Sequence, residues 1–134
     1  MKKKTYPLIY AGEKQQFARS VVVGDLVFLS GMSGRTIETG DVSSDKMVDQ
    51  MKVALDKVRA ALTEAGTSMD NIVKTVIYLK HLEDYNVMRQ TEKEYWQKYA
   101  PSLLKEPPAS TFIQPLSLAR ARMLIEIDVV AVIP

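Results

Sequence analysis

Residues 18–31 read "ARSVVVGDLVFLSG" and constrain the chain more than any other stretch. Three valines lead into Gly24-Asp25, and Leu26, Val27, Phe28 and Leu29 continue without a polar break. Glycine at the first central position suits the positive φ of a tight primed turn. The valine, leucine and phenylalanine around it suit a pleated surface. Two antiparallel strands joined at Gly24-Asp25 are therefore expected, and the rest of the chain must pack on them.

Beyond the hairpin the apolar period changes. A polar connector, "GRTIETGDVSS", leads into "DKMVDQMKVALDKVRAALTEAG". There Met47, Met51, Leu55, Val58 and Leu62 recur at spacings of three and four, one apolar stripe along a helix. Ser43 or Ser44 is expected to cap it, since a hydroxyl can accept a bond from a free first-turn amide. Gly66 is the natural stop. "NIVKTVIYLKHL" returns to alternation, with Val73, Ile77 and Leu79 facing one way and Lys74 and Lys80 the other, as in a strand with one buried face. "LEDYNVMRQTEKEYWQKYA" is a second helix, with Tyr85, Met88, Tyr95 and Tyr99 at helical spacing. Pro101, Pro107 and Pro108 then forbid helix. "ASTFIQ" and "ARMLIEIDVVAV" close the chain as strands, and "TYPLIY" near the start reads as a short extra one.

This order gives an α+β fold: a mixed sheet with two helices packed on one face, residues 1–134 forming one domain. The other face needs cover, which self-association would supply. Composition narrows the function. A net charge of +2 gives no case for nucleic acid. No run approaches the roughly 18 apolar residues of a membrane helix. The chain has no cysteine, which excludes thiol chemistry and fits a cytosolic setting. One histidine, His81, leaves a His-rich metal site short of ligands. No metal or cofactor is expected.

Several motifs carry a resemblance. "QFARSVVVGDLVFLSGM", Gln16 to Met32, resembles the "PYSQAV…G…F.SGQ" segment of the RidA/YjgF family, also called endoribonuclease L-PSP-like. Gln50, Ala54, Leu55, Leu62, Ala65 and Gly66 match its first helix. Val73, Lys74, Val76 and Leu79 match its "v.K..v.l" strand, and Ile125, Glu126, Ile127, Asp128 and Ala131 its closing "vEIe..A". The resemblance implies a chorismate-mutase-like fold and a homotrimer assembled through the sheet. Small-molecule clefts would lie between subunits, without metal or cofactor. In deaminase members those clefts hydrolyse enamines or imines to 2-keto acids and ammonia.

The resemblance also implies a site. Glu126 takes the place of the glutamate that holds the attacking water or relays its proton, and a carboxyl in a partly apolar cleft suits proton transfer near neutrality. Read from alternation alone, it is an acidic edge facing solvent. The family's deaminases hold the substrate carboxylate with an arginine in "PARS"; here Pro108, Ala109, Ser110 and Thr111 stand instead. Ser110 brings a hydroxyl and no charge, and a charge-assisted bond is roughly twice as strong as a neutral one. Phe17 stands for a tyrosine, keeping the ring and losing the hydroxyl. Ser30 and Gly31 end a strand where backbone amides could receive an anion. Arg89 and Glu92 stand at i and i+3 of the second helix, either a surface ion pair or, for Arg89, a stand-in for the lost arginine. Phe112 completes the ligand-binding set.

The expected function is a RidA-like homotrimer acting on small carboxylate or carbonyl-type metabolites with a shifted substrate preference. A non-catalytic ligand-binding trimer is the main alternative. Ribonuclease activity fits worse, because RNA binding calls for aromatic and basic side chains together.

Overall fold

In the computed structural model, residues 2–134 are described. The expected hairpin is β2 (Glu13–Val23) and β3 (Leu26–Leu29), with Val23 opposite Leu26 across Gly24, whose φ is +58°. "TYPLIY" proves to be part of an eight-residue strand, β1 (Lys3–Tyr10), paired with β2 from Lys3↔Val23 to Tyr10↔Glu13. Then come β4 (Met32–Ser33), α1 (Met47–Glu64), β5 (Ile72–Leu79), α2 (Tyr85–Tyr99), β6 (Ala109–Ile113) and β7 (Ile125–Val132). The sheet runs β1-β2-β3-β7-β5-β6, with β4 also on β7. Among the described residues only β5 and β6 pair in parallel.

The stripe on α1 does what its spacing implies. Met47, Met51, Leu55, Val58 and Leu62 are all buried, against Ile125, Ile127, Val129 and Ala131 of β7 and Ile77 and Leu79 of β5. Met88, Tyr95 and Trp96 of α2 join the same core. Gly66, at φ +90°, ends α1 as expected. Its amide donates to the Thr63 carbonyl and that of Thr67 to Leu62, closing the last turn. No helix among the described residues is long and apolar enough to cross a membrane.

Two expectations are corrected. Neither Ser43 nor Ser44 caps α1. The residue before the helix is Lys46, and no side chain caps it. The Ser44 hydroxyl instead accepts from the Lys46 amide at 3.1 Å and donates to Asp49 at 2.8 Å, closing the turn ahead of the helix. Val73 is also not on the buried face. The register of β5 against β7 slips between Ile72 and Lys74, so Ile72 turns inward and Val73 outward. A one-residue bulge changes the face of a side chain without changing the alternation beyond it.

Candidate functional site

Alternation along β7 sends Glu126, Asp128 and Val130 to the face without helices. Tyr78 of β5 and Ser33 of β4 are the register partners of Glu126. Beside them β3 has ended and Gly31 passes close. A Cβ there would lie 2.6 Å from the Glu126 carboxyl carbon and 3.0 Å from Asp128 Oδ1. A side chain at position 31 would push the Glu126 carboxyl aside and crowd that of Asp128, so the glycine leaves the room in which the Glu126 carboxyl lies, half-buried, against the backbone. Ser30 does not stand free. Its hydroxyl donates to the Ala18 carbonyl and its amide to that of Arg19, tying the end of β3 to β2.

The electrostatics derive from this placement. Burial raises the pKa of Glu126, and the neighbouring Asp128 raises it further, against the pull of Lys57. Burial also raises that of Asp128, opposed by the Tyr78 hydroxyl, which donates to Asp128 Oδ2 at 3.2 Å. Raised in this way, a carboxyl holds its proton more readily than one in water, as proton transfer to a reacting group requires.

Gln50 of α1 sets the approach to β7. It is buried, its Nε2 donates to the carbonyls of Ser44 and Arg122, and its Oε1 accepts from the Leu124 amide at 2.8 Å. All of its bonds run to backbone, so the segment entering β7 is pinned to the helix two residues before Glu126.

Ser110 and Phe112 face the other way. In register they pair with Thr75 and Ile77, which are buried beneath the helices. Arg89 of α2 reaches this edge. Its Nη2 donates to Ser110 Oγ at 3.1 Å, its Nε to the Tyr85 hydroxyl at 3.1 Å, and its Nη1 to Glu92 Oε1 at 3.0 Å. Glu92 is only 7% exposed, so the surface-pair reading of Arg89 and Glu92 does not hold: the acid is buried, and burial raises its pKa despite Arg89. Phe112 packs edge-on against Tyr85, ring centres 5.0 Å apart.

Within one chain, then, the named residues form two groups on opposite faces. Ser30, Gly31 and Glu126 are together, and Arg89, Ser110 and Phe112 are together. Phe17 belongs to neither; it is 49% exposed on β2, beside Pro7 and Lys14. Asp128, Tyr78 and Gln50 do not stand out in the sequence as site residues. Asp128 was within reach, two residues from Glu126 on the same strand face. Gln114 donates weakly to the Lys80 carbonyl at 3.3 Å.

A further polar cluster lies beside the end of β1. Lys57 of α1, 8% exposed, donates to the Tyr10 hydroxyl at 2.8 Å, and the Arg35 guanidinium lies 4.0 Å from the Tyr10 ring centre. Burial, aided by Arg35, lowers the Lys57 pKa to about 7. Its signal in the sequence was a lysine three residues after Ala54 and four before Ala61, inside the apolar stripe.

Comparison with known proteins agrees with this architecture. The profile of the family described as Endoribonuclease L-PSP matches residues 11–133. A RutC family protein from Saccharolobus solfataricus is 30% identical over 115 residues, 86% of this chain and 85% of the relative. A 2-iminobutanoate/2-iminopropanoate deaminase from Dermatophagoides farinae is 26% identical over 86 residues, 64% of this chain and 67% of its own length. Among solved structures, E. coli TdcF with bound serine has the same fold, with a TM-score of 0.83 at 24% identity over 98% of each chain.

Proposed function

The chain belongs to the Endoribonuclease L-PSP family, the RidA/YjgF group, and on that premise we propose that it is a homotrimer hydrolysing small enamines or imines in clefts between subunits. One subunit would present Glu126 over Gly31, with Ser30 holding the end of β3 against β2 and Phe17 flanking it on β2. The neighbour would present Arg89, Ser110 and Phe112 from its edge strand and second helix. Support for the assembly comes from the face without helices, where Leu26 and Phe28 are 41% and 42% exposed.

The observation that carries the reading is the half-buried Glu126 carboxyl folded over Gly31. Water adds to the imine carbon as the Glu126 carboxylate removes one of its protons. That proton passes to the nitrogen, and the carbinolamine expels ammonia to leave the carbonyl compound. Imine plus water thus gives carbonyl plus ammonia, and an enamine joins the same route by protonation at carbon. The deaminase among the relatives, and the serine in the TdcF crystals, support small-molecule chemistry of this kind.

A second reading, a trimer that binds ligands without turnover, is favoured by one feature: the cation at the Ser110 end is already paired with Glu92. Ammonia release from a panel of imines generated in solution separates the two. Release by the wild type and its loss in Glu126→Gln supports hydrolysis. Binding without release supports the alternative.

A further inference from the structure

Arg89 has five N–H bonds, and most are engaged within the protein. Nε is bound to Tyr85, Nη1 to both oxygens of Glu92 at 3.0 and 3.3 Å, and Nη2 to Ser110. A guanidinium grips a carboxylate through two parallel N–H groups. Here each such pair has at least one member already occupied.

Charge leads to the same conclusion. Glu92 is fixed one turn along α2 with its side chain 10% exposed, against 30% for Arg89. The ion pair is therefore built into the fold and leaves the cluster without net charge. What remains for a ligand is the Ser110 hydroxyl, a spare N–H on Nη2 and the Phe112–Tyr85 ring wall. Hydroxyl and N–H can meet a single carbonyl oxygen. Within this group a carboxylate would find no unpaired charge to offset the loss of its hydration. The nearby Lys74 ammonium, with the side chain of Thr111 on the other face of the sheet, donates to Thr111 Oγ1.

We infer that the Ser110 end of the cleft selects an uncharged carbonyl-bearing ligand, such as an amide, ester or ketone, over the corresponding carboxylate. This rests on reading the Arg89–Ser110–Phe112 group as one wall of the cleft. It departs from the expectation that Arg89 replaces a lost anion-binding arginine: Arg89 stands beside Ser110, but Glu92 has cancelled its charge.

Pyruvamide and pyruvate test it, since they share size and differ in amide against carboxylate. Titrating each into the intact protein by calorimetry is expected to show pyruvamide bound about tenfold more tightly or better, the difference between a neutral and a charge-mismatched contact. Glu92→Gln removes the cancelling charge at nearly constant volume and is expected to shift the preference at least about tenfold toward pyruvate. Ser110→Arg, at an exposed position that leaves Glu92 intact, is expected to shift it the same way. Pyruvate binding the wild type as tightly as pyruvamide overturns the inference, as does an unchanged preference in both variants. If neither compound binds the wild type or either variant, this group is not part of the cleft and the inference falls. Loss of ammonia release in Glu126→Gln would still stand for the reaction itself.

Discussion

The two faces of the sheet are built from the same strands and treat their side chains oppositely. On β7, Ile125, Ile127, Val129 and Ala131 are sealed beneath the helices, while Glu126, Asp128 and Val130, each one residue along, are left partly exposed. The sealed face holds its shape by filled apolar volume. The other holds two carboxyls in a state that folding alone does not require, with pKa values raised by burial. Along β7, packing and the two carboxyls are thus assigned to opposite faces of one strand, and mutations there should separate them.

The largest effect is expected on the face without helices. Glu126→Gln should lower turnover about 10²- to 10⁴-fold, the range for losing a general acid–base group. Its melting temperature should match the wild type. A fall in melting temperature comparable to a core mutation would mean Glu126 belongs to the stability side.

Lys57 is the exception on the sealed face and the sharpest test of it. Unfolded, its amine titrates at the ordinary 10.5; folded, at about 7. Between those limits the unfolded chain binds the extra proton. Its cost is therefore absent above about pH 10.5, grows as pH falls toward 7 and is constant below that. At the low end it reaches on the order of 5 kcal/mol. Lys57→Met should be more stable than wild type at pH 7, with the gain shrinking toward pH 10. Urea unfolding at both pH values checks this, and a gain independent of pH would contradict it.

Leu62→Ala should cost about 2–5 kcal/mol, the range for opening a cavity in a dry core, because Leu62 is fully buried. Ammonia release per folded molecule should be unchanged. The smallest effect is expected at Ser44. Because its hydroxyl serves the turn ahead of α1 rather than the helix end, Ser44→Ala should cost less than the roughly 1 kcal/mol typical of a lost cap. Thermal unfolding measures both.

The sealed face was legible in the sequence because burial there repeats: the helical stripes and the alternation of β7 each state one rule many times. Single departures were not legible. The bulge at Val73 and the two-residue strand β4 depend on how neighbouring strands pair, which no local pattern encodes. The site was half legible. Glu126 stood out by its place in a motif, but its setting over Gly31 depends on where β3 ends. Arg89 beside Ser110 was open to inference from the resemblance. The burial of Glu92, which changes what Arg89 can bind, was not, since an i,i+3 ion pair has the same spacing whether wet or dry.

The cleft proposed on the face without helices requires that copies of the chain cover it. Sedimentation equilibrium of the purified protein tests this most directly. A particle of three 15.1 kDa chains is expected, which Phe28→Asp should dissociate. A stable 15.1 kDa monomer that still released ammonia from imines would contradict it.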